Sequence, residues 1–128
     1  MPWNLDSDRP IFIQIIEKIQ MDIISGQYAP GDKLPSVREL AMQASVNPNT
    51  MQKAPSELER TGLVYAKRTS GRYITEDTTM ITNLKTALAK DIVAQFLDNM
   101  QRLGIQEEDV ISLISEFIEG DKHDTVRM

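Results

Sequence analysis

Apolar residues recur at helical spacing near the start of the chain, and this pattern predicts a first helix. The stripe consists of Phe12, Ile15, Ile16, Ile19 and Ile23. Asp8 or Ser7 is expected to cap the helix, because both carry a side-chain oxygen that accepts from a first-turn amide. Pro10 then falls in the first turn, where its missing N–H would have had no partner in any case. A loop rich in proline and glycine, residues 26–36, is predicted to follow.

Two shorter helices are predicted next, and each begins with its own capping signal. Ser36 followed by Glu39 is a capping box, which predicts a helix over residues 37–44. A tight turn follows, and Asn47 with a proline directly after it predicts a third helix over residues 48–60. The predicted core-facing positions of these two helices are Val37, Leu40, Ala41, Met51, Ala54 and Leu58.

The segment after the third helix has the pattern of a β-hairpin. Gly62 stops the helix, and residues 63–67 and 72–75 have the β-branched and aromatic composition of strands. The turn between them contains Gly71, which supplies the positive backbone angle that a tight hairpin turn needs. At most one further short strand is predicted, around residues 33–34 in the preceding loop.

The remainder of the chain predicts two longer helices. One covers residues 78–103 and stops at Gly104, and the other covers residues 106–119 and stops at Gly120. Their apolar positions at helical spacing are Ile81, Leu84, Leu88, Ile92, Phe96, Met100, Leu103, Val110, Ile111, Ile114, Phe117 and Ile118. Residues 121–128 are predicted to form a flexible tail.

This order of elements predicts a mainly α protein with a small β-hairpin wing. Two capped helices joined by a tight turn and followed by a hairpin form a winged helix-turn-helix, predicted here as a DNA-binding domain over residues 1–76. The second of the two short helices is then the recognition helix, which enters the DNA major groove. Residues 77–120 are predicted to form a separate segment of two C-terminal dimerisation helices.

Candidate DNA contacts follow from the residue types at the start of the recognition helix and on the hairpin. Amide and hydroxyl side chains can read base edges, and basic side chains neutralise phosphates or, on the hairpin, reach the minor groove. The candidates are Arg38, Asn47, Asn49, Thr50, Gln52, Lys53, Lys67, Arg68 and Arg72. A plainer interpretation stays open, in which Asn47 and Thr50 only cap the helix and the basic residues form a solvated surface.

The charge distribution favours DNA binding although the net charge opposes it. The chain carries a formal net charge of -5, and nucleic acid repels a uniformly acidic protein. Residues 33–72, however, hold seven Lys or Arg against three Glu, a net charge of +4. Residues 76–128 hold five Lys or Arg against eleven Asp or Glu, a net charge of -6. The basic middle and the acidic end therefore predict two different roles.

Three motifs resemble the DNA-binding domain of the GntR family of bacterial repressors. They are residues 30–41 (PGDKLPSVRELA), 46–50 (VNPNT) and 57–64 (ELERTGLV). The similarity covers about residues 9–76, and the two helices that follow resemble the short dimerisation segment of the YtrA-type subfamily. The resemblance implies that Arg38 contacts DNA, that the recognition helix begins with the polar residues after Val46, and that the wing tip lies at residues 68–72. It also implies transporter operons as targets.

Two positions depart from the family pattern. Thr69 stands in the wing where relatives often have glycine, and Pro55 lies inside the third helix where a bulky residue such as tyrosine is common. Proline there removes the hydrogen bond to the Met51 carbonyl and crowds that turn. We therefore predict a kinked or locally loosened recognition helix, and a higher melting temperature for Pro55→Tyr.

The apolar stripe on the long helix predicts a subunit interface. A winged helix reads only one half-site, so a twofold dimer is expected to place two recognition helices about 34 Å apart. The predicted interface residues are Ile81, Leu84, Leu88, Ile92, Phe96, Met100, Ile114 and Phe117. Packing of the stripe inside one subunit is the alternative. A second set consists of Met80, Phe96, Met100 and Phe117. These residues could line a small effector pocket, but we favour packing in the core.

Other chemistry is weakly indicated or excluded. Cysteine is absent, and the single histidine, His123, lies in the predicted tail. A thiolate nucleophile, a serine–histidine–aspartate triad and a histidine-rich metal site are therefore not expected, and neither an enzyme nor a cofactor is predicted. No apolar run reaches the length of a membrane helix, and the N-terminus has no secretory pattern, so we expect a cytoplasmic protein.

The sequence as a whole predicts a homodimeric, DNA-binding transcriptional regulator. We expect a repressor that occupies a palindromic operator and excludes polymerase until an effector changes the angle between its two DNA-binding heads. Its expected partners are double-stranded DNA, a second copy of the chain and a small-molecule effector of unknown identity. The alternative is a winged-helix module that binds proteins and has lost DNA binding, which Pro55 and the acidic balance keep open.

Overall fold

The computed structural model describes residues 3–127, with side chains for residues 3–120. The elements are α1 (Ile11–Ile24), α2 (Val37–Ala44), α3 (Pro48–Met51), α4 (Lys53–Thr61), β1 (Val64–Lys67), β2 (Gly71–Ile74), α5 (Thr78–Arg102) and α6 (Glu107–Arg127). The chain divides into two compact units, one ending at Thr86 and the other beginning at Ala87, so α5 contributes to both. Within the described range, no helix is both long enough and apolar enough to cross a membrane.

The first unit surrounds one hydrophobic core, and the predicted helical stripes supply most of it. On α1, Ile15, Ile19 and Ile23 are buried, while Phe12 and Ile16 pack at the edge. The other buried members are Leu34, Leu40, Ala41, Ala44, Met51, Ala54, Leu58, Leu63, Val64 and Ile74. The mainly α architecture with a hairpin wing is therefore confirmed, because residues spaced for helical and strand faces meet in a single core.

The start of α1 differs from the prediction. Its N-cap is Pro10, and no side chain caps it, so the expected cap from Asp8 or Ser7 is wrong. The preceding segment is instead held by Gln14, whose amide accepts from the N–H of Asp6 at 2.6 Å and donates to the Asp6 carbonyl at 2.7 Å. A side chain from inside the helix thus does the ordering that a cap residue was expected to do.

The hairpin pairs β1 with β2 in an antiparallel register that joins Val64 to Ile74 and Lys67 to Gly71. Gly71 has the positive φ that its place in the turn predicted, at +116°. The short extended stretch predicted in the loop is also present, because Lys33 forms a bridge with Tyr73 on the free edge of β2. The loop before α2 is therefore tied to the wing.

The last helix of the chain, α6, ends later than predicted. Gly104 has a φ of +81° and follows α5 at the expected place, but α6 continues through Gly120 to Arg127. Glycine terminates a helix by adopting the left-handed conformation, and Gly120 is absent from the positive-φ glycines of the described chain. Residues 121–127 of the predicted tail therefore belong to α6, while their side chains and all of Met128 lie outside the described residues.

Candidate nucleic-acid interface

The helix-turn-helix is formed by α2 and α3, and both predicted caps are present. The N–H of Glu39 donates to Ser36 Oγ, and the N–H of Ser36 donates to Glu39 Oε1, each at 3.1 Å. The bond from the Ser36 N–H to the charged carboxylate lowers the pKa of Glu39 below its ordinary value. At the next helix, Asn47 Oδ1 accepts from the N–H of Asn49 at 2.7 Å. The beginnings of both helices are thus fixed by their own side chains.

The turn between α2 and α3 depends on Ser45, whose φ is +58°. This left-handed conformation costs an L-residue roughly 1–2 kcal/mol. The N–H of Ser45 donates to Met42 O at 3.3 Å, and the N–H of Val46 donates to Ala41 O at 3.1 Å. The two bonds close the end of α2, and α3 begins after a connection of only three residues, 45–47.

The predicted recognition helix is interrupted at Gln52, between α3 and α4. Pro55 has no N–H to donate to the carbonyl of Met51, and the next backbone bond, from Ser56 N to Gln52 O, is long at 3.4 Å. The hydroxyl of Ser56 donates to the same carbonyl at 3.0 Å. Gln52 keeps helical angles, with φ -56° and ψ -30°, so hydrogen bonding is lost while the backbone stays helical. The predicted local loosening is confirmed.

The surroundings of Pro55 change the expected effect of replacing it. Its side chain is fully buried, like those of Ala54 and Leu58 on the same helix. A tyrosine at position 55 would have to displace core side chains, and such overpacking destabilises proteins. The stabilisation predicted for Pro55→Tyr is therefore unsupported, and a smaller residue with an N–H is the better replacement.

The tip of α3 presents the predicted polar residues to solvent. Asn47, Asn49 and Gln52 are exposed, and Thr50 is half-buried. Asn47 Oδ1 accepts the hydrogen bond that caps the helix. Asn47 therefore has the capping role that the plainer interpretation of the sequence gave it. Asn49 contributes only its backbone N–H to that cap, so its exposed side-chain amide is available for hydrogen bonding outward.

Four of the predicted basic contacts lie on α2, at the start of α4 and on the wing. Arg38, Lys53, Lys67 and Arg68 are all exposed. Among the side chains that the structure describes, none of the four pairs with a carboxylate. Their charges are therefore unneutralised within this part of the chain, as expected for groups that meet phosphates.

Arg72, the remaining predicted contact, occupies a different environment. Its Nε donates to Glu59 Oε1 at 2.8 Å, and its Nη2 donates to Ser56 Oγ at 3.4 Å. The arginine side chain is 27% exposed. The structure therefore holds Arg72 against α4 and separates it from the exposed cations of the wing.

The outer face of the hairpin carries a cation on two aromatic rings. Tyr65 and Tyr73 stack with their ring centres 6.0 Å apart. The ammonium of Lys67 lies 4.4 Å from the centre of the Tyr73 ring, within the range of a cation–π interaction. Lys33, which was not among the predicted DNA contacts, also lies on this face. Its Cε is so close to Gly71 that a Cβ built on that glycine would be only 3.1 Å away. The short strand predicted around residues 33–34 was the sequence feature that could have pointed to this position.

The predicted interface residues fall into two groups. Ile81 and Leu84 pack against the core of the first unit, so for them the intramolecular alternative is the observed one. In the second unit, Leu88, Phe96 and Met100 are half-buried. The strongly exposed members are Ile92 (63%), Ile114 (40%) and Phe117 (73%). Val110 is the one buried apolar side chain among residues 87–120, so this unit leaves most of its apolar surface uncovered.

The four residues considered for an effector pocket belong to both units, Met80 to the first and the other three to the second. Met80 packs against the core of the first unit, while Phe117 is exposed in the second. The described groove of the second unit, about 680 Å³ in volume, contains none of the four. It is lined by Leu97, Gln101, Gly104, Ile105, Gln106, Glu107, Val110, Ile111 and Ile114.

Comparison with known proteins agrees with this geometry. The family model of the bacterial regulatory proteins of the gntR family matches residues 13–74. The uncharacterized HTH-type transcriptional regulator YhcF of Bacillus subtilis is 40% identical over 120 residues, which cover 94% of this chain and 99% of YhcF. The HTH-type transcriptional repressor YtrA of the same organism is 39% identical over 86% of this chain and 85% of its own length.

Solved structures show the same likeness. A GntR family transcriptional regulator from Listeria monocytogenes superposes with a TM-score of 0.82 at 42% identity, covering 88% of this chain and 98% of that one. The DNA-binding domain of AraR in complex with operator ORX1 superposes with a TM-score of 0.50 at 29% identity, covering 59% of this chain and 92% of that one. The relatives are transcriptional regulators, not enzymes. With its capped helix-turn-helix, its wing and its likeness to YtrA along most of its length, the chain belongs to the YtrA-type branch of the GntR family as a DNA-binding transcriptional regulator.

Proposed function

We propose that the protein is a repressor that binds a palindromic operator as a homodimer. The observation that carries this proposal is the exposed polar tip of α3, where Asn49 and Gln52 line one groove together with Lys53. Arg38 is exposed on α2, and neither cation pairs with a carboxylate among the described side chains. Amide side chains can bond both to an adenine edge, and the cations can neutralise flanking phosphates. The name of YtrA, a transcriptional repressor, supports repression as the outcome. The operator complex of AraR supports an operator as the ligand.

The apolar surface of the second unit supports a second copy as its occupant. A unit of about 40 residues seldom builds a sufficient core by itself and usually needs oligomerisation, a metal or disulfides. This one exposes Ile92, Ile111 and Phe117 each by more than 60%. Twofold pairing through this surface would present two α3 tips to successive turns of one face of the duplex. An effector that changes the angle between the two heads would then release the operator.

The central experiment is selection of a binding site followed by titration. The full chain is used to select duplexes from a pool with roughly 30 randomised base pairs, enough for two half-sites one helical turn apart. We expect a palindromic consensus bound by two chains, and an affinity that falls steeply as salt rises, because phosphate contacts release counterions. Sedimentation of the complex gives its stoichiometry, and a reporter promoter containing the selected site tests repression.

Substitutions then test which residues read the site. Asn49→Ala and Thr50→Ala are expected to weaken binding to the selected duplex by roughly tenfold or more for each lost base contact, and to change binding to random duplex little. Asn83→Ala, at an exposed position of α5 outside the candidate set, is the matched control. If the double variant keeps wild-type affinity, or if one chain alone binds the duplex, the proposal is wrong. Failure to select any duplex would instead favour a protein-binding module.

A further inference from the structure

The two faces of the wing hairpin have different roles, and strand alternation assigns Arg72 to the inner one. Side chains two residues apart on a strand share a face. Arg72 therefore shares a face with Ile74, which is fully buried in the core of the first unit. Tyr73, between them, lies on the opposite face with Lys67 above its ring. The position that looked like part of a basic wing tip in the sequence is turned toward the protein.

The contacts of Arg72 form a defined site on α4. Ser56 and Glu59 are three residues apart and thus lie on one face of the helix. The guanidinium of Arg72 donates to both, at 2.8 Å to the Glu59 carboxylate and at 3.4 Å to the Ser56 hydroxyl. These bonds join residues 13 and 16 positions apart in sequence, so they connect the wing to the helix across the fold.

Moving this arginine to DNA would be unfavourable for two reasons. The guanidinium would exchange a carboxylate already in place for a phosphate, and Glu59 would be left unpaired beside a polyanion. The wing has other cations for that purpose, since Lys33, Lys67 and Arg68 are exposed and pair with no carboxylate among the described side chains. We propose that Arg72 is a positioning residue that braces the wing against α4, and that the wing binds phosphates through those three cations.

The brace matters because DNA binding uses two separate parts of the first unit. The recognition tip on α3 directly precedes α4, and the cations are on the hairpin and the loop tied to it. Fixing the hairpin to α4 sets the spacing between these two parts before DNA arrives, so less conformational entropy is lost on binding. This inference rests on the proposed function, since it takes the α3 tip and the wing as the DNA-binding surface.

Salt dependence of binding distinguishes a brace from a phosphate contact. Each phosphate contact contributes about 0.9 to the slope of log affinity against log salt. On the selected duplex, Arg72→Gln should weaken binding by about threefold per wing, the size of a partly exposed ion pair, or about tenfold for a dimer, and should leave the slope unchanged. Arg68→Gln should lower the slope by about 1.8, one contact from each of two wings. A slope reduction in Arg72→Gln as large as that in Arg68→Gln overturns the brace.

A matched pair of carboxylates gives an independent test. Glu59→Gln and Glu57→Gln each remove one negative charge from α4, but Glu57 pairs with Arg60 and not with Arg72. Loss of negative charge alone should strengthen DNA binding slightly, and we expect this for Glu57→Gln. Glu59→Gln should instead weaken binding about as much as Arg72→Gln, and the double variant should be no weaker than either single one. If Glu59→Gln strengthens binding as Glu57→Gln does, Arg72 is a restrained DNA contact and the inference is wrong.

The wild-type protein provides a readout that does not depend on a variant folding. The NMR signal of the Arg72 Nε–H reports its bond to Glu59, and we expect it to persist when the selected duplex is added. Displacement of that signal by DNA contradicts the brace even if the protein binds its operator tightly. Failure of the wild-type chain to bind any duplex, by contrast, contradicts the proposed function together with the inference.

Discussion

Gln14 and Asp6 exchange a pair of hydrogen bonds that closes the N-terminal segment onto α1. The Asp6 N–H donates to Gln14 Oε1 at 2.6 Å, and Gln14 Nε2 donates to the Asp6 carbonyl at 2.7 Å. The same nitrogen donates to the carbonyl of Arg9 at 2.9 Å. Gln14 is only 8% exposed, although it lies on a helix face that is otherwise isoleucine. Its three bonds explain why a polar side chain is stable at this position.

Replacing Gln14 with leucine should therefore destabilise the first unit. Leucine has a similar size but leaves three backbone groups without their partner, at a cost of about 1–3 kcal/mol. Urea unfolding measures the loss, and Trp3 provides a local probe because it is the sole tryptophan and packs at the edge of the core. Its emission should shift to longer wavelength in the variant. Gln43→Leu, at an exposed position of α2, should change neither measurement, and equal effects would show that the three bonds are unimportant.

Pro55→Ala should raise the melting temperature. Alanine restores an N–H that can donate to the Met51 carbonyl, and it is about 3 kcal/mol better than proline inside a helix. The loss of buried ring carbons offsets about half of this gain at roughly 0.8 kcal/mol per methylene. A net gain of about 1 kcal/mol corresponds to roughly 4–8 °C for a domain of this size. Pro48→Ala is the control, since proline at the first position of α3 displaces no hydrogen bond. A similar rise in both variants would refute the explanation.

The capping box of α2 should make stability depend on pH in the acidic range. The pKa of Glu39 is lowered in the folded protein, first by the backbone N–H of Ser36. A carboxyl with a lowered folded pKa stabilises the protein above its unfolded pKa, and this contribution is lost as pH falls through the folded pKa. Thermal melting of wild type and Glu39→Gln should differ at neutral pH and converge in acid, where both side chains are neutral. A difference that stays constant, or that grows in acid, would contradict this.

Charged substitutions on the second unit should separate the proposed dimer without unfolding the chain. Phe117 is 73% exposed, so Phe117→Glu should leave the fold of one subunit intact. It should weaken dimerisation by about a hundredfold or more, because two buried phenylalanines are lost from a twofold interface at about 1.5–3 kcal/mol each. Sedimentation measures the association and circular dichroism the fold. Met42→Glu, 77% exposed on α2, is the matched control. A dimer that survives Phe117→Glu unchanged places the interface elsewhere.

Local signals in the sequence were sufficient for the helix-turn-helix itself. The capping box at Ser36, the cap at Asn47 and the turn glycine Gly71 each act within a few residues, and all three are present as predicted. The loosening caused by Pro55 is local for the same reason, since a proline removes one bond of its own helix. The periodic apolar stripes also became core, because helix and strand geometry fixes which side chains share a face.

Long-range contacts decided what these local signals left open. Glu59 lies 13 residues from Arg72, and only the folded wing shows that one neutralises the other. Ile81, Leu84 and the exposed Ile92 belong to one apolar stripe at helical spacing on α5, yet Ile81 and Leu84 pack against the core of the first unit. A periodic pattern shows which side chains share a helix face. It does not show which other element packs against that face.

The amino-acid sequence by itself determined the kind of protein, because caps, turns and apolar periods are properties of short stretches of chain. Tertiary structure alone decided which basic residues stay exposed, since pairing with a carboxylate depends on distance in space. It likewise decided which apolar residues stay exposed, since burial depends on what packs against each face. Features that depend on hydrogen bonds within a few residues could be predicted from the sequence. Features that depend on contacts between distant segments required the folded structure.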